Sequence, residues 1–179
     1  MWRIHNPNGV HRVAWNYLRS FGPLTRARFD PWVGEPAEQS GAVGYFATDW
    51  STCLAEYFQE TRRVTTSTNC YITGFTPTRT LDLLDLRGEY PIKVGASHSL
   101  NGGTRTHCRA WSHAFRTALP SLDGFVYAGM NSLNCFVLFE NTSDAFPKHP
   151  GFSRALFDPS IYERLAVATK NINYEFDIL

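Results

Sequence analysis

The sequence predicts an α+β fold, and three observations carry that prediction. Its 179 residues suffice for one domain with a core, since domains usually run to about 100–200 residues. Hydrophobic residues make up 43% and charged residues 18%, a globular rather than a disordered balance. Short apolar runs and segments of helical period follow one another without regular alternation, which disfavours a doubly wound parallel sheet. A single domain spanning 1–179 is expected.

Taken in order, the first loose region is Asp30–Gly44, which carries Pro31, Gly34, Pro36 and Gly41 and reads as a long, functional loop. Gly44-Tyr45-Phe46-Ala47 is strand-like. Thr48 or Asp49 then offers an N-cap for a helix over Trp50–Thr61, with Leu54, Phe58 and Thr61 on one face. Cys70–Phe75 and Thr80–Leu86 read as strands parted by the turn Thr76-Pro77-Thr78. Thr104–Leu119 is the clearest helix: Cys108, Trp111, Phe115 and Ala118 form an apolar stripe, Arg105, Arg109, Ser112 and Arg116 lie off it, and Pro120 stops it. Phe125–Tyr127 and Cys135–Phe139 read as strands joined through Gly129-Met130-Asn131-Ser132. Ser160-Ile161-Tyr162-Glu163 has the form of a capping box opening a last helix toward Lys170, and Asn173–Ile178 could close the sheet.

Composition excludes several function classes. A net charge of +1 creates no global field for a polyanion, so direct nucleic-acid binding is not expected; the pairs Arg26/Arg28 and Arg62/Arg63 suit a phosphate or two. The four cysteines (Cys53, Cys70, Cys108, Cys135) are widely spaced and fit free thiols better than a disulfide framework. The N-terminus lacks a signal-peptide pattern and no apolar run approaches the ~20 residues of a membrane span, so a cytoplasmic protein is expected. There is no G-x-G-x-x-G, P-loop, H-E-x-x-H or G-x-S-x-G, and the six histidines show no metal-ligand spacing. His107 and Cys108 are adjacent, but helix neighbours point about 100° apart and Cys108 lies on the core stripe. The aromatic content of 15% fills a core and could also wall a slot for a flat ring.

Three segments hold polar residues that a bland fold does not need. Arg26-Ala27-Arg28-Phe29-Asp30-Pro31 offers an arginine, whose planar fork matches a phosphate. Gly44-Tyr45-Phe46-Ala47 leads into the helix bearing Glu56, within Cys53-Leu54-Ala55-Glu56-Tyr57-Phe58-Gln59-Glu60-Thr61-Arg62. By residue type alone, Arg28 reads as a surface arginine and Glu56 as a solvated mid-helix carboxylate. The order of the segments says more. R-F-D-P, then Y-F-A about fifteen residues on, then C-L-A-E-x-F-Q-E-T-R resembles the RES-domain family, named for its Arg, Glu and Ser residues. The resemblance continues through Leu81–Gly88, Gly95-Ala96-Ser97, Arg109–Ala114, Asp123–Tyr127, Val137–Glu140 and Phe152–Leu156.

That resemblance implies an ADP-ribosyltransferase-like fold, with two small mixed sheets around an NAD cleft and flanking helices. It implies an enzyme that consumes NAD as substrate, with no cofactor or metal, by phosphorolysis or hydrolysis. Such enzymes are mostly toxins of toxin–antitoxin pairs, restrained by a helix-turn-helix (Xre-type) antitoxin that plugs the active site. ADP-ribosylation of a protein, or nucleotide binding without turnover, are the alternatives. Position by position, Arg28 matches the family arginine and would hold the phosphates. Tyr45 would stack on or hydrogen-bond the nicotinamide half. Glu56 matches the family glutamate and would stabilise the ribosyl cation formed as nicotinamide leaves. Arg3 and Trp111 are further candidates for the wall. The sequence departs at the serine: Tyr127-Ala128-Gly129-Met130 puts Gly129 at the motif position, with Ser132 three residues on as the alternative hydroxyl.

Overall fold

The computed structural model describes residues 1–8, 12–66, 69–96, 100, 103–129 and 133–178. Ten strands are described: β1 (Trp2–His5), β2 (Arg19–Gly22), β3 (Ala37–Ala47), β4 (Arg63–Thr65), β5 (Tyr71–Gly74), β6 (Leu83–Asp85), β7 (Gly124–Ala128), β8 (Asn134–Phe139), β9 (Phe152–Ala155) and β10 (Glu175–Asp177). Four α-helices accompany them: α1 (Trp50–Tyr57), α2 (Tyr90–Lys93), α3 (Arg105–Ala118) and α4 (Tyr162–Asn171). The α+β class holds, but the sheets differ from the two small mixed ones that the resemblance implied. One mixed eight-stranded sheet runs β6-β7-β8-β3-β1-β5-β9, with β2 also on β3, and β4 pairs with β10 in a separate parallel ribbon.

The reason lies in β3. Eleven residues long, it pairs over Val43–Ala47 with β8 along one edge, and along the other meets β2 and, at Ala47, β1. It thereby joins strands that would otherwise form two sheets. Its first half was expected to be loop; Ala37–Gly41 is polar and glycine-bearing, yet β2 supplies the ladder partners that local sequence does not reveal. The loop proper is therefore only about Pro31–Pro36.

Alternation along β3 sets the layers. Val43, Tyr45 and Ala47 face the helices. Phe46 faces the other way, into a cluster with Phe75 and Leu138. On the helical side, α1 and α4 pack Leu54, Cys53, Leu165 and Ala168 against Ile4, Ala47 and Ile72. Beside them, α3 packs Cys108 and Phe115 against Phe125, Val137 and Phe139. Tyr45 stands where the two cores adjoin. In the β7–β8 hairpin, Gly124 admits no side chain, because a Cβ there would fall on the carbonyl oxygen of Val137.

Four smaller expectations are corrected. Helix α1 ends at Tyr57 with Phe58 as its C-cap, short of the expected Thr61. On α3 the buried positions are Cys108, Ser112 and Phe115, whereas Ala118 is exposed. No capping box opens α4: Asp158 caps a 3-10 turn over Pro159–Ile161 by accepting from Ser160 N, and α4 follows from it. β10 does not close the main sheet; it pairs with β4, from Glu175↔Arg63 to Asp177↔Thr65. Among the described residues, no helix is long and apolar enough to cross a membrane.

On β1, the buried His5 joins three strands. Its Nδ1 lies 2.9 Å from Val13 O, which can only accept, so Nδ1 carries the proton and Nε2 accepts from Thr73 Oγ1 at 2.8 Å. Thr73 is in turn linked to Ser153 at 2.8 Å. Burial, assisted by the charge of Arg3, lowers the His5 pKa despite the bond to Val13. Below the ordinary histidine value of about 6.5 the unfolded chain therefore binds the proton more readily, and stability falls with pH. Between about pH 7 and pH 5, melting curves are expected to drop more for the wild type than for His5→Gln. Parallel curves would refute this.

Candidate functional site

Arg28 lies on a segment gripped from two sides. From α3, Arg109 donates to the carbonyls of Leu24, Thr25 (3.0 Å) and Ala27 (3.0 Å). The Ser112 hydroxyl donates to Phe29 O at 2.8 Å, and the His113 ring meets Pro31 O at 3.1 Å. From the sheet, the fully buried Asp30 carboxylate accepts Arg19 Nη2 on both oxygens (2.7 and 2.9 Å), Leu24 N (2.8 Å) and the Tyr45 hydroxyl (2.8 Å). The half-buried Arg28 reaches Gly103 O at the start of α3, with Nη1 at 3.1 Å, and also bonds Cys108.

Tyr45 has a hydroxyl committed to that segment, donating to Asp30 and accepting from Phe29 N at 3.2 Å. Burial first, then the charge and hydrogen bond of Asp30, push its pKa well above the ordinary tyrosine value, so it remains a neutral donor. The hydroxyl is buried, and the half-buried side chain packs against the core cluster that holds Phe29, Tyr127 and Val137. Its oxygen thus serves the Arg28 segment.

Glu56 is brought in by α1. Asp49 caps that helix: its carboxylate accepts from Thr52 N at 2.9 Å and from the Thr52 hydroxyl at 2.8 Å. Burial pushes the Asp49 pKa up, but these bonds and those from Thr48 and Ser51 outweigh it and leave the pKa low. Replacing the cap, Asp49→Ala, is expected to cost about 1 kcal/mol of stability, readable by urea denaturation. An unchanged midpoint would show the cap to be idle. About two turns along, the Glu56 carboxylate lies against Gly129 and bonds Cys135, both of the β7–β8 hairpin.

Tyr127 connects these parts. Its ring sits 4.8 Å from that of Phe29, its hydroxyl bonds Cys135, and the charges of Glu56 and Tyr45 both act on it. Three sequence-distant segments, carrying Arg28, Tyr45 and Glu56, thus meet on one side of the sheet. Beside Arg28 a cleft of about 480 Å³ is lined by Thr25, Thr104, Arg105, Thr106 and Arg109. Positive charge and the N-terminal end of α3 come together there, a setting for an anion. A larger cleft of about 580 Å³, by Met1, Pro77 and Arg79, lies far from this chemistry; Arg79 there is bound to Asp123 and Asp144. Size is the poorer guide here, since the larger cleft brings no second reactive group. Among the described residues, no three His, Cys, Asp or Glu side chains converge as a metal site.

The family model for the RES domain matches residues 1–158, which includes every part of this site. The chain belongs to the RES family. Neither the curated proteins nor the solved structures provide a match. α4 and β10 lie beyond the matched RES region, and α4 still supplies Leu165 and Ala168 to the core under α1.

The remaining expected site residues of this RES chain do not join the group equally. Arg3 projects from β1 to the opposite face of the sheet, over the Phe46 ring (5.2 Å), and donates to Trp15 O and Tyr17 O. Burial brings its pKa down to about 10. Trp111 stacks on Phe115 at 5.4 Å and donates to His107, both on its own helix. Gly129 is at the site, in contact with Glu56. Ser132 lies outside the described residues. Sequence reasoning gave no role to Asp30, Arg19, Ser112, Tyr127 or Cys135. The signal for Asp30 was a carboxylate between Phe29 and Pro31, and for α3 the polar residues Arg109, Ser112 and His113 at i, i+3 and i+4 beside the apolar stripe.

Proposed function

We propose that the chain cleaves the nicotinamide–ribose bond of NAD and passes the ADP-ribosyl group to phosphate or water. The observation that supports this reading is that the segments carrying Arg28, Tyr45 and Glu56 come together in a RES-family chain, Phe29 beside Arg28 meeting both Tyr45 and Tyr127, and Glu56 acting on Tyr127. As the bond breaks, nicotinamide takes the electron pair and positive charge grows on the ribose. A carboxylate at Glu56 stabilises that charge. Arg28 and the arginine-lined cleft next to it suit the two phosphates, which fixes the ribose relative to Glu56. The Tyr45 ring walls the nicotinamide end. In a cell such an activity makes the chain the toxin of a toxin–antitoxin pair, and a helix-turn-helix antitoxin its partner, covering the cleft.

Chromatography of NAD incubated with the pure protein tests this, with and without phosphate. Phosphorolysis yields nicotinamide and ADP-ribose phosphate, and only with phosphate present. Hydrolysis yields nicotinamide and ADP-ribose in both cases. Radiolabel transferred to a protein band would instead identify a protein ADP-ribosyltransferase. Gly129 favours a second reading, a module that binds NAD without turnover, because it offers no hydroxyl. Thermal stabilisation by NAD with no nicotinamide released would establish that one.

A further inference from the structure

Gly129 follows the end of β7, and the space beside it is already taken. A Cβ built on it would lie 2.5 Å from Cys135 Sγ and closer still to Glu56 Oε1. Unbonded carbon is in ordinary contact with such atoms only at about 3.5–4 Å. A carboxylate and a thiol thus fill the volume that a side chain at 129 would need. The backbone cannot back away cheaply, because Gly129 N donates to Leu133 O at 2.7 Å and closes the hairpin. Cys135 is 1% exposed and stands directly opposite Tyr127 in the β7–β8 ladder.

We propose that Cys135 is a positioning residue for Glu56: its S–H donates to the carboxylate from the space a side chain at 129 would occupy, and glycine there lets the two meet. This deepens the function proposed above, in which Glu56 is the carboxylate facing the ribose. The protonation states agree with it. Burial first, and then the charge of Glu56, push the Cys135 thiol well above its ordinary value. The sulfur therefore keeps its proton and donates, where a thiolate would repel the carboxylate. It is correspondingly no nucleophile. Burial, with Cys135 and Glu56 adding to it, likewise keeps Tyr127 protonated. In the chain Tyr127 O–H to Cys135 Sγ, and Cys135 S–H to Glu56, the negative charge rests on the carboxylate. An orienting hydrogen bond that a serine at 129 has no room to make comes instead from the neighbouring strand.

Steady-state kinetics of NAD cleavage by variants, with infrared spectroscopy of the thiol, tests this. Cys135→Ala is expected to lower kcat about tenfold, as loss of a hydrogen bond to a charged group does, with KM for NAD nearly unchanged. Cys135→Ser should recover most of that loss. A role in packing alone would rank these two the other way, because a buried hydroxyl packs worse than a methyl group. Gly129→Ser should slow turnover, and Gly129→Ser combined with Cys135→Ala should be faster than Gly129→Ser alone, since truncation clears the space. Unchanged kcat in Cys135→Ala, or faster turnover in Gly129→Ser with the thiol in place, overturns the proposal. The S–H stretching band of Cys135, identified by difference against Cys135→Ala, needs no turnover. It should move to higher frequency in Glu56→Gln, and a band that stays in place overturns the hydrogen bond. If the wild type releases no nicotinamide, the enzymatic reading falls by itself and the band still decides the contact.

Discussion

Glu56→Gln is expected to reduce nicotinamide release by about a hundredfold or more while leaving the fold in place. The substitution removes a negative charge and keeps nearly the same shape. Electrostatic groups aimed at charge that develops in a transition state are typically worth about 10²–10³ in rate. Glu56 stands at the end of α1, which is anchored by the Asp49 cap and by the burial of Trp50, Cys53, Leu54 and Ala55, none of which the change touches. A glutamine amide still fits beside Gly129 and Cys135, so circular dichroism and the melting temperature should move little. Equal rates of nicotinamide release in Glu56→Gln and wild type would remove Glu56 from the chemistry.

The largest stability effect is expected at Asp30. Its side chain is 0% exposed and that of Arg19 18%, so the pair is held almost out of water. Asp30→Ala leaves Arg19, Leu24 N and the Tyr45 hydroxyl without their shared acceptor. Removing one partner of a buried ion pair costs about 3–5 kcal/mol, and the partial exposure of Arg19 points to the lower end. For a chain of this size that corresponds to a fall in melting temperature of roughly 10 °C. Arg19→Met should cost less, since a carboxylate still held by Leu24 N and Tyr45 remains partly satisfied. A double-mutant cycle should give a coupling of about 1–3 kcal/mol between the two positions. Full additivity would show the pair to be independent.

Much of the fold was legible because its signals are local. Asp49 before Trp50 marks a helix start through its cap and Pro120 after Leu119 a helix end through its missing N–H, and the structure keeps both near their expected places. The first half of β3 was not legible: Ala37–Ala42 lacks an apolar alternation, and its pairing with β2 depends on Arg19–Gly22, which carries no strand pattern of its own. The site shows the same division. Arg28, Tyr45 and Glu56 stand out only through the order of their motifs, since each residue type is commonplace. Asp30 and the α3 grip act between positions that are distant in sequence, such as Ser112 and Phe29. No periodicity links such partners, and only the folded chain brings them together.

The grip of α3 on the Arg28 segment acts on the main chain. Arg109, Ser112 and His113 hold carbonyl oxygens, and a carbonyl is the same whichever residue bears it. Leu24, Thr25, Arg26 and Ala27 can therefore be exchanged in evolution, within the room available, without Arg28 losing its place. The rim of the cleft is free to diversify toward different ligands or inhibitors on a frame whose geometry does not have to be reinvented each time.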